Sequence, residues 1–454
     1  MVPLSSRAMG VEQRAKQLQQ AAKTHDFTFG TATSEGASPP TRLEFIHFSF
    51  TMALPRAMRL LAAVTICIFL FLFLQILRAE PGAIVLPDSA RKGKESTSKL
   101  QKWDHDPQLD LSGEPPEPLR RVKGGNYDPE NESSDRINAT ILSLVRNEEL
   151  QGILNSMSDL ERTWNRKFNY PWTFFNDVPF TQEFKRKTTA ATNAKTYYHQ
   201  IPKEHWEIPS WINEDLFKES MSLLKDVQYM EKKSYHQMCR WNSGLFSEHP
   251  ALATTQYYWR VEPNVRFFCD VDYDVFRWMQ DHNKTYGFNI NIYDSAESVA
   301  TLWPETLKFL QDHPGYVNER SAREWLEDGT HRPENKRKAN GYSTCHFWSN
   351  FEVGDLNFWR SRQYREYFDH LDRSGGFFYE RWGDAPVHSV ALGLFEDKSK
   401  IHWFRDIGYQ HVPFFNCPNS PKCGGCVTGR FTDGESWLNR EDCRPVWFKH
   451  VGMD

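Results

Sequence analysis

One uncharged run, Leu60–Leu77 (LLAAVTICIFLFLFLQIL), constrains this chain more than any other feature. At helical rise its 18 residues extend about 27 Å, just enough to cross a thin bilayer. A cleaved signal peptide has a shorter apolar core that ends at a small-residue cleavage site. Here the phenylalanines and leucines continue to Gln75 and Ile76 with no such site before Arg78. The run therefore reads as an uncleaved signal-anchor occupying 58–79, with 1–57 as a cytosolic tail. Arg56 and Arg59 on one side and Arg78 on the other orient it only weakly. The sequons weigh more: Asn131-Glu132-Ser133, Asn138-Ala139-Thr140 and Asn283-Lys284-Thr285 all follow the anchor, as a lumenal domain requires. Residues 1–51 carry no periodic pattern, and Met52 stands as a second candidate start directly before the anchor.

A net charge of −4 gives no reason to expect nucleic acid or polybasic membrane targeting. The 16 tryptophans suit either a large core, the commoner use, or aromatic platforms for sugars. Of eight cysteines, Cys67 lies in the anchor and seven follow it. In an oxidising lumen most of these pair, and an odd number leaves one free and buried. Cys423-Gly-Gly-Cys426 has the spacing of a zinc knuckle, but Cys417 and Cys443 complete it poorly, so disulfides are favoured.

Residues 80–136 are rich in Pro, Gly, Ser, Lys and Glu and read as a flexible stem, leaving 137–454 as the folded domain. Its first segment, 139–145, is a continuous β-prone run of the kind found in buried parallel strands. Helical spacing over 148–164 and a second strand at 170–175 complete a βαβ unit, hence α/β architecture with a parallel sheet. Ligands of such sheets bind beyond the carboxyl ends of the strands, which places Arg146 and Asn176-Asp177 at a nucleotide edge. Further on, helices are predicted over 211–230, 303–310 and 364–371 and from Pro386, strands over 257–261, 267–271 and 288–293, and an exposed loop over 331–340.

Three clusters carry candidate chemistry. Glu262, fixed in an extended conformation by Pro263 at the end of a strand, is a hard-oxygen ligand for a divalent cation; taken alone it is more often a solvent-facing acid. Asp270-Val-Asp272-Tyr-Asp274 competes for that role with the Asp-x-Asp pattern of sugar-nucleotide transferases, a pattern too short to be specific. The third cluster holds Glu352 behind a run of aromatics, then Glu380, Arg381 and Asp384 ahead of a helix, then His411. Asp384 also suits a helix cap, and Glu380 with Arg381 a structural ion pair.

The strings Tyr257–Asn264 (YYWRVEPN), Cys345–Glu352 (CHFWSNFE), Gly375–His388 (GGFFYERWGDAPVH) and Asp406–Pro413 (DIGYQHVP) resemble the fungal Golgi α-1,2-mannosyltransferases of glycosyltransferase family 15. The resemblance covers roughly 137–450 and implies a GT-A-like α/β domain with a mixed, mainly parallel central sheet. It implies a type II protein of the Golgi membrane that uses GDP-mannose and Mn²⁺. The transfer goes to the 2-hydroxyl of a mannose on a glycoprotein or oligosaccharide, O-linked or N-linked, with retention. By motif, Glu262 and His411 become the metal ligands, Glu352 the catalytic carboxylate and Tyr235, in the Ser-Tyr-x-x-Met-Cys-Arg segment 234–240, a neighbour of the donor phosphates. Arg146 and Arg260 are further donor contacts, and Glu380 and Asp384 sugar contacts. The alternative is a catalytically silent glycan-binding subunit of a mannan-building complex, which would be expected to have lost one of Glu262, Glu352 or His411. A mannosidase would need neither the nucleotide nor the Tyr235 and Glu262 region.

Overall fold

The computed structural model describes residues 136–453. The tail, the anchor and all but the last residue of the stem lie outside the described residues, and so do Cys67 and the Asn131 sequon. Among the described residues no helix is long and apolar enough to cross a membrane.

The expected βαβ unit opens the domain. Strand β1 (Ala139–Leu144) leads into α1 (Leu150–Leu160), whose Ile153, Met157 and Leu160 share one buried face. Asn169, in the left-handed conformation, turns the chain into β2 (Trp172–Asn176). Strand β3 (Thr196–Gln200) follows, then α2 (Glu214–Leu223), capped by Asn213, and α3 (Lys233–Ser243). The helix expected over 211–230 is thus confined to its middle: Asn213 stops it at one end, and turns follow Leu224 at the other. Strand β4 (Tyr257–Val261) falls where the sequence places it.

The strand expected over 267–271 is reduced to β5 (Arg266–Phe267), because Cys269 is pulled into a disulfide and a bridge with Cys423. Helix α4 (Val275–Asp281) follows, capped by Asp274. The run 288–293 is split into β6 (Tyr286–Phe288) and β7 (Asn291–Tyr293), which join different sheets. Asn289 breaks it by donating from Nδ2 to the carbonyls of Phe404 and Ile407. A helix spans Leu302–Asp312, and the expected loop over 331–340 contains a short one, Pro333–Lys338, opened by proline.

Strands β8 (Cys345–Phe347) and β9 (Phe351–Asp355) precede α5 (Arg362–Ser374), which Ser361 caps and Gly375 ends at φ +82°. Helix α6 (Asp384–Phe395) is buried on nearly every side, so it reads as apolar all round. Strands β10 (Ile401–Trp403), β11 (Tyr409–His411) and β12 (Phe414–Asn416) and helix α7 (Arg444–Val451) complete the chain.

The main sheet has the order β10-β6-β9-β4-β1-β2-β3. Only β9 runs against the others, so the sheet is mixed and mainly parallel. Alternation along each strand feeds two cores, one per face. Leu142, Tyr258 and Tyr286 pack into one, Ile141, Trp259 and Val353 into the other. Eleven tryptophans are among the largest fully buried side chains, so core packing is their main use. Three disulfides, Cys269–Cys423, Cys345–Cys443 and Cys417–Cys426, leave Cys239 free and buried among the described residues. Cys423 and Cys426 take different partners, so the Cys-Gly-Gly-Cys spacing is not used as a knuckle.

Candidate active site

Strand β9 enters the parallel sheet at the edge where β4 ends, and this insertion builds the site. Arg260 on β4 lies opposite Glu352 on β9, with Phe288 of β6 on Glu352's other side. Residues opposite each other across strands share a face, so the guanidinium and the carboxylate project together. Tyr258 and Tyr286 flank Gly354 on the same face, two positions along. A Cβ at Gly354 would come within 2.7 Å of the Tyr258 ring, so glycine is what lets that ring lie beside Glu352.

Arg260 is the hub. Its Nη1 donates to Asp384 Oδ2 at 2.5 Å and its Nη2 to Glu262 Oε1 at 2.6 Å, while Glu352 Oε1 stands 3.8 Å from Nη1. One cation thus faces three carboxylates. Asp384, in the first turn of α6, also accepts from Ser349 Oγ at 2.7 Å. Burial alone would raise the Asp384 carboxyl, but Arg260, His388 and Ser349 outweigh it and hold its pKa below the usual value. Glu352 is 1% exposed, and its Oε2 accepts from the Tyr286 hydroxyl at 3.1 Å and lies 3.1 Å from Nδ1 of His388.

Glu262, after β4, and His411, at the end of β11, come together although far apart in the chain. His411 Nε2 is 3.5 Å from Glu262 Oε2, and its Nδ1 faces the Val412 carbonyl at 3.2 Å. Without a cation, a hydrogen on Nε2 bridges to the carboxylate; with only Nδ1–H retained and donating to that carbonyl, the Nε2 lone pair is free to join Glu262 Oε2 on a cation. A nitrogen and an oxygen lone pair converging in this way form a two-atom ligand set for a divalent cation. The Trp348 ring, edge-on at 4.8 Å, holds the imidazole in place. Desolvation pushes the Glu262 carboxyl up, yet Arg260 and His411 bring it down to about 2, so it is ionised at neutral pH. Among the described residues no group of three or more His, Cys, Asp or Glu surrounds a metal position, so further ligands would come from water or a diphosphate.

The other sequence candidates lie as follows. Tyr235 of α3 lies under the Arg381 guanidinium at 5.6 Å, and burial pushes its phenol well above its ordinary value. Arg381 is paired with Asp294 at 3.0 Å rather than with Glu380. Glu380 turns its Oε2 to the Thr301 amide and the Trp382 indole, at 3.1 and 2.8 Å. Arg146 lies beyond the end of β1, half-exposed and paired with Glu149 and Glu148, apart from the Arg260 cluster. The Asp-x-Asp candidate does not reach the cluster either. Asp272 pairs with Lys422, and Asp274 caps α4 while accepting from the Tyr170 hydroxyl.

The sequence reading passed over His388, Tyr286, Ser349 and Asp294. One signal was available for His388: it stands four residues after Asp384, the spacing that puts two side chains on one helix face.

Residues 97–452 match the family described as glycolipid 2-alpha-mannosyltransferase. The probable mannosyltransferase KTR4 of Saccharomyces cerevisiae is 46% identical over 320 residues, covering 68% of this chain and 69% of that protein. Glycolipid 2-alpha-mannosyltransferase 2 of Candida albicans is 47% identical over 290 residues, covering 63% of this chain and 61% of that protein, so the match spans less than two thirds of its length. The crystal structure of core-mannan synthase A (CmsA/Ktr4) from Aspergillus fumigatus, in a Mn/GDP form, is 61% identical, with a TM-score of 0.74. That similarity covers 77% of this chain and 94% of the synthase. The structure of Ktr4p from S. cerevisiae in complex with GDP is 43% identical, covering 73% and 87%, with a TM-score of 0.69. With the whole of the site inside the matched residues, this chain belongs to the glycolipid 2-alpha-mannosyltransferase family.

Proposed function

We propose that this protein is a Mn²⁺-dependent, retaining α-1,2-mannosyltransferase that moves mannose from GDP-mannose to the 2-hydroxyl of a mannose on an O-linked or N-linked glycan. The observation that carries the reading is the convergence of Glu262, His411, Arg260, Asp384 and Glu352 at one end of the sheet. Glu262 and His411 fit a divalent cation, and the bound metal would neutralise the diphosphate as it leaves, so no protonating acid is required. Glu352 supplies negative charge where the anomeric carbon becomes positive as its bond to the diphosphate breaks. Arg260 fixes the carboxylates around that centre, and Asp384 offers its oxygens to sugar hydroxyls. Tyr235, beneath the Arg381 guanidinium, is assigned to the donor phosphates on its motif. Likeness to a core-mannan synthase supports a mannan chain as acceptor. The assembled carboxylates and imidazole argue against a silent subunit.

We place the enzyme in the Golgi membrane as a single-pass type II protein, on the anchor and the sequons that follow it. Protease protection of the catalytic domain in sealed microsomes tests that orientation. For the activity, residues 80–454 are incubated with GDP-[¹⁴C]mannose, methyl-α-mannoside and Mn²⁺. The expected product is a labelled α-1,2-disaccharide, abolished by EDTA. No transfer to any mannoside or oligomannoside acceptor would overturn the reading.

A further inference from the structure

Glu352 is gripped on one side only. Its Oε2 meets His388 Nδ1 and the Tyr286 hydroxyl, each at 3.1 Å, while Oε1 faces Arg260 on the side where Glu262 and Asp384 converge. His388 is fully buried on α6, and its Nε2 lies 3.0 Å from the Asn242 carbonyl of α3. A carbonyl oxygen can only accept, so Nε2 carries a hydrogen. If Nδ1 were bare, its lone pair would point at the carboxylate. The 3.1 Å contact to Oε2 is therefore made through a hydrogen on Nδ1. Arg260 faces three carboxylates, of which Glu352 and Asp384 are buried. The Trp359 indole stacks on the His388 ring at 4.1 Å and 27°, a face that attracts a cation. The remaining rings on His388 are those of Phe246 and Tyr364, which add no charge.

We propose that His388 is a positioning residue: together with Tyr286 it immobilises Oε2 of Glu352 and so presents Oε1 to the anomeric carbon of the donor. The proposal rests on the reading of Glu352 given above. A carboxylate misplaced by about 1 Å costs on the order of 100-fold in rate, and Tyr286 and His388 are the two groups that meet Oε2.

The test compares wild type, His388→Gln, His388→Asn, Tyr286→Phe and Glu352→Gln in residues 80–454, with Mn²⁺ and GDP-mannose. The amide of asparagine reaches the place of Nδ1, whereas that of glutamine reaches the place of Nε2. His388→Gln is expected to lower kcat about 100-fold with KM for GDP-mannose within roughly threefold. His388→Asn recovers at least about tenfold of that loss by restoring the donor to Oε2. A kcat for His388→Gln equal to wild type overturns the proposal, as does equal loss in both variants that tracks their thermal stability. Should the His388 variants fail to fold, Tyr286→Phe carries the test, with about a tenfold kcat loss at unchanged KM expected and none overturning it. If Glu352→Gln keeps full activity, the reading of Glu352 falls and the proposal with it. If Glu352→Gln is inactive while His388→Gln is normal, only the proposal falls.

Discussion

Arg260 and Glu352 are direct cross-strand partners on β4 and β9, yet the guanidinium makes its close contacts elsewhere, with Asp384 at 2.5 Å and Glu262 at 2.6 Å. Glu352 is left 3.8 Å from Nη1, near enough to be oriented by the charge and too far to be tied up in a hydrogen bond with it. A carboxylate that must act on a carbon has to keep an oxygen available, and this spacing provides one.

Glu352→Gln preserves the shape of the side chain and removes its charge. We expect kcat to fall at least about 10³-fold, while GDP affinity in Mn²⁺ stays within about twofold, because no nucleotide contact is assigned to Glu352. Steady-state kinetics beside calorimetric GDP titration measures both.

Arg260→Met removes the one guanidinium that faces Glu262, Asp384 and Glu352. Breaking a buried ion pair from one side costs about 3–5 kcal/mol. A large drop in unfolding free energy is expected even in EDTA, and it shrinks when Asp384→Asn is added. Urea denaturation of the single and double variants reads the coupling.

The acid dependence of the metal-free protein follows from Glu262. Its folded pKa of about 2 is below the unfolded glutamate value of about 4.3. A depressed pKa gives stability that is present above the unfolded value and lost as pH falls through the folded one. The difference corresponds to about 2–3 kcal/mol at most. Between pH 5 and 2 in EDTA, wild type is expected to lose more stability than Glu262→Gln; parallel melting curves for the two would contradict this.

Cys345 on β8 is bonded to Cys443, immediately before α7. Trp447 of that helix packs edge-on against Phe347 and Trp325. Closing a loop of this length contributes roughly 2–5 kcal/mol. Cys443→Ser should lower the melting temperature by several degrees and raise the rate at which protease releases the C-terminal segment.

Of the two described sequons, Asn283 is exposed in a turn after α4 at φ +51°, at the start of β6 and so at the sheet edge away from the site. Asn138 instead donates from Nδ2 to the Thr254 carbonyl, and its Thr140 hydroxyl is buried against Thr173. Expressed in a secretory host, the protein should carry a glycan at Asn283 that peptide-N-glycosidase removes, and Asn283→Gln should abolish that gel shift without loss of activity.

The sequence by itself determined the local elements and most of the chemical inventory. Apolar runs and helical spacing placed β1, β2 and β4 within a residue or two and α1 within four, because those segments bury a continuous face whatever their partners. The strings holding Glu262, Glu352 and His411 were legible because each is rich in chemistry over a few residues. Tertiary structure decided what the strings do to one another. Arg260 meets Asp384 across 124 residues, and Glu262 meets His411 only because β11 pairs with β5 just after the Glu262 turn. Three-dimensional packing gave the competing aspartates their own partners, a lysine for Asp272 and a helix to cap for Asp274. It also split the run 288–293, where a single buried asparagine takes carbonyls from a distant loop. Charge and hydrogen-bond satisfaction act between residues far apart in the chain, so pattern alone cannot assign them, whereas burial of a periodic face is a local property that pattern records directly.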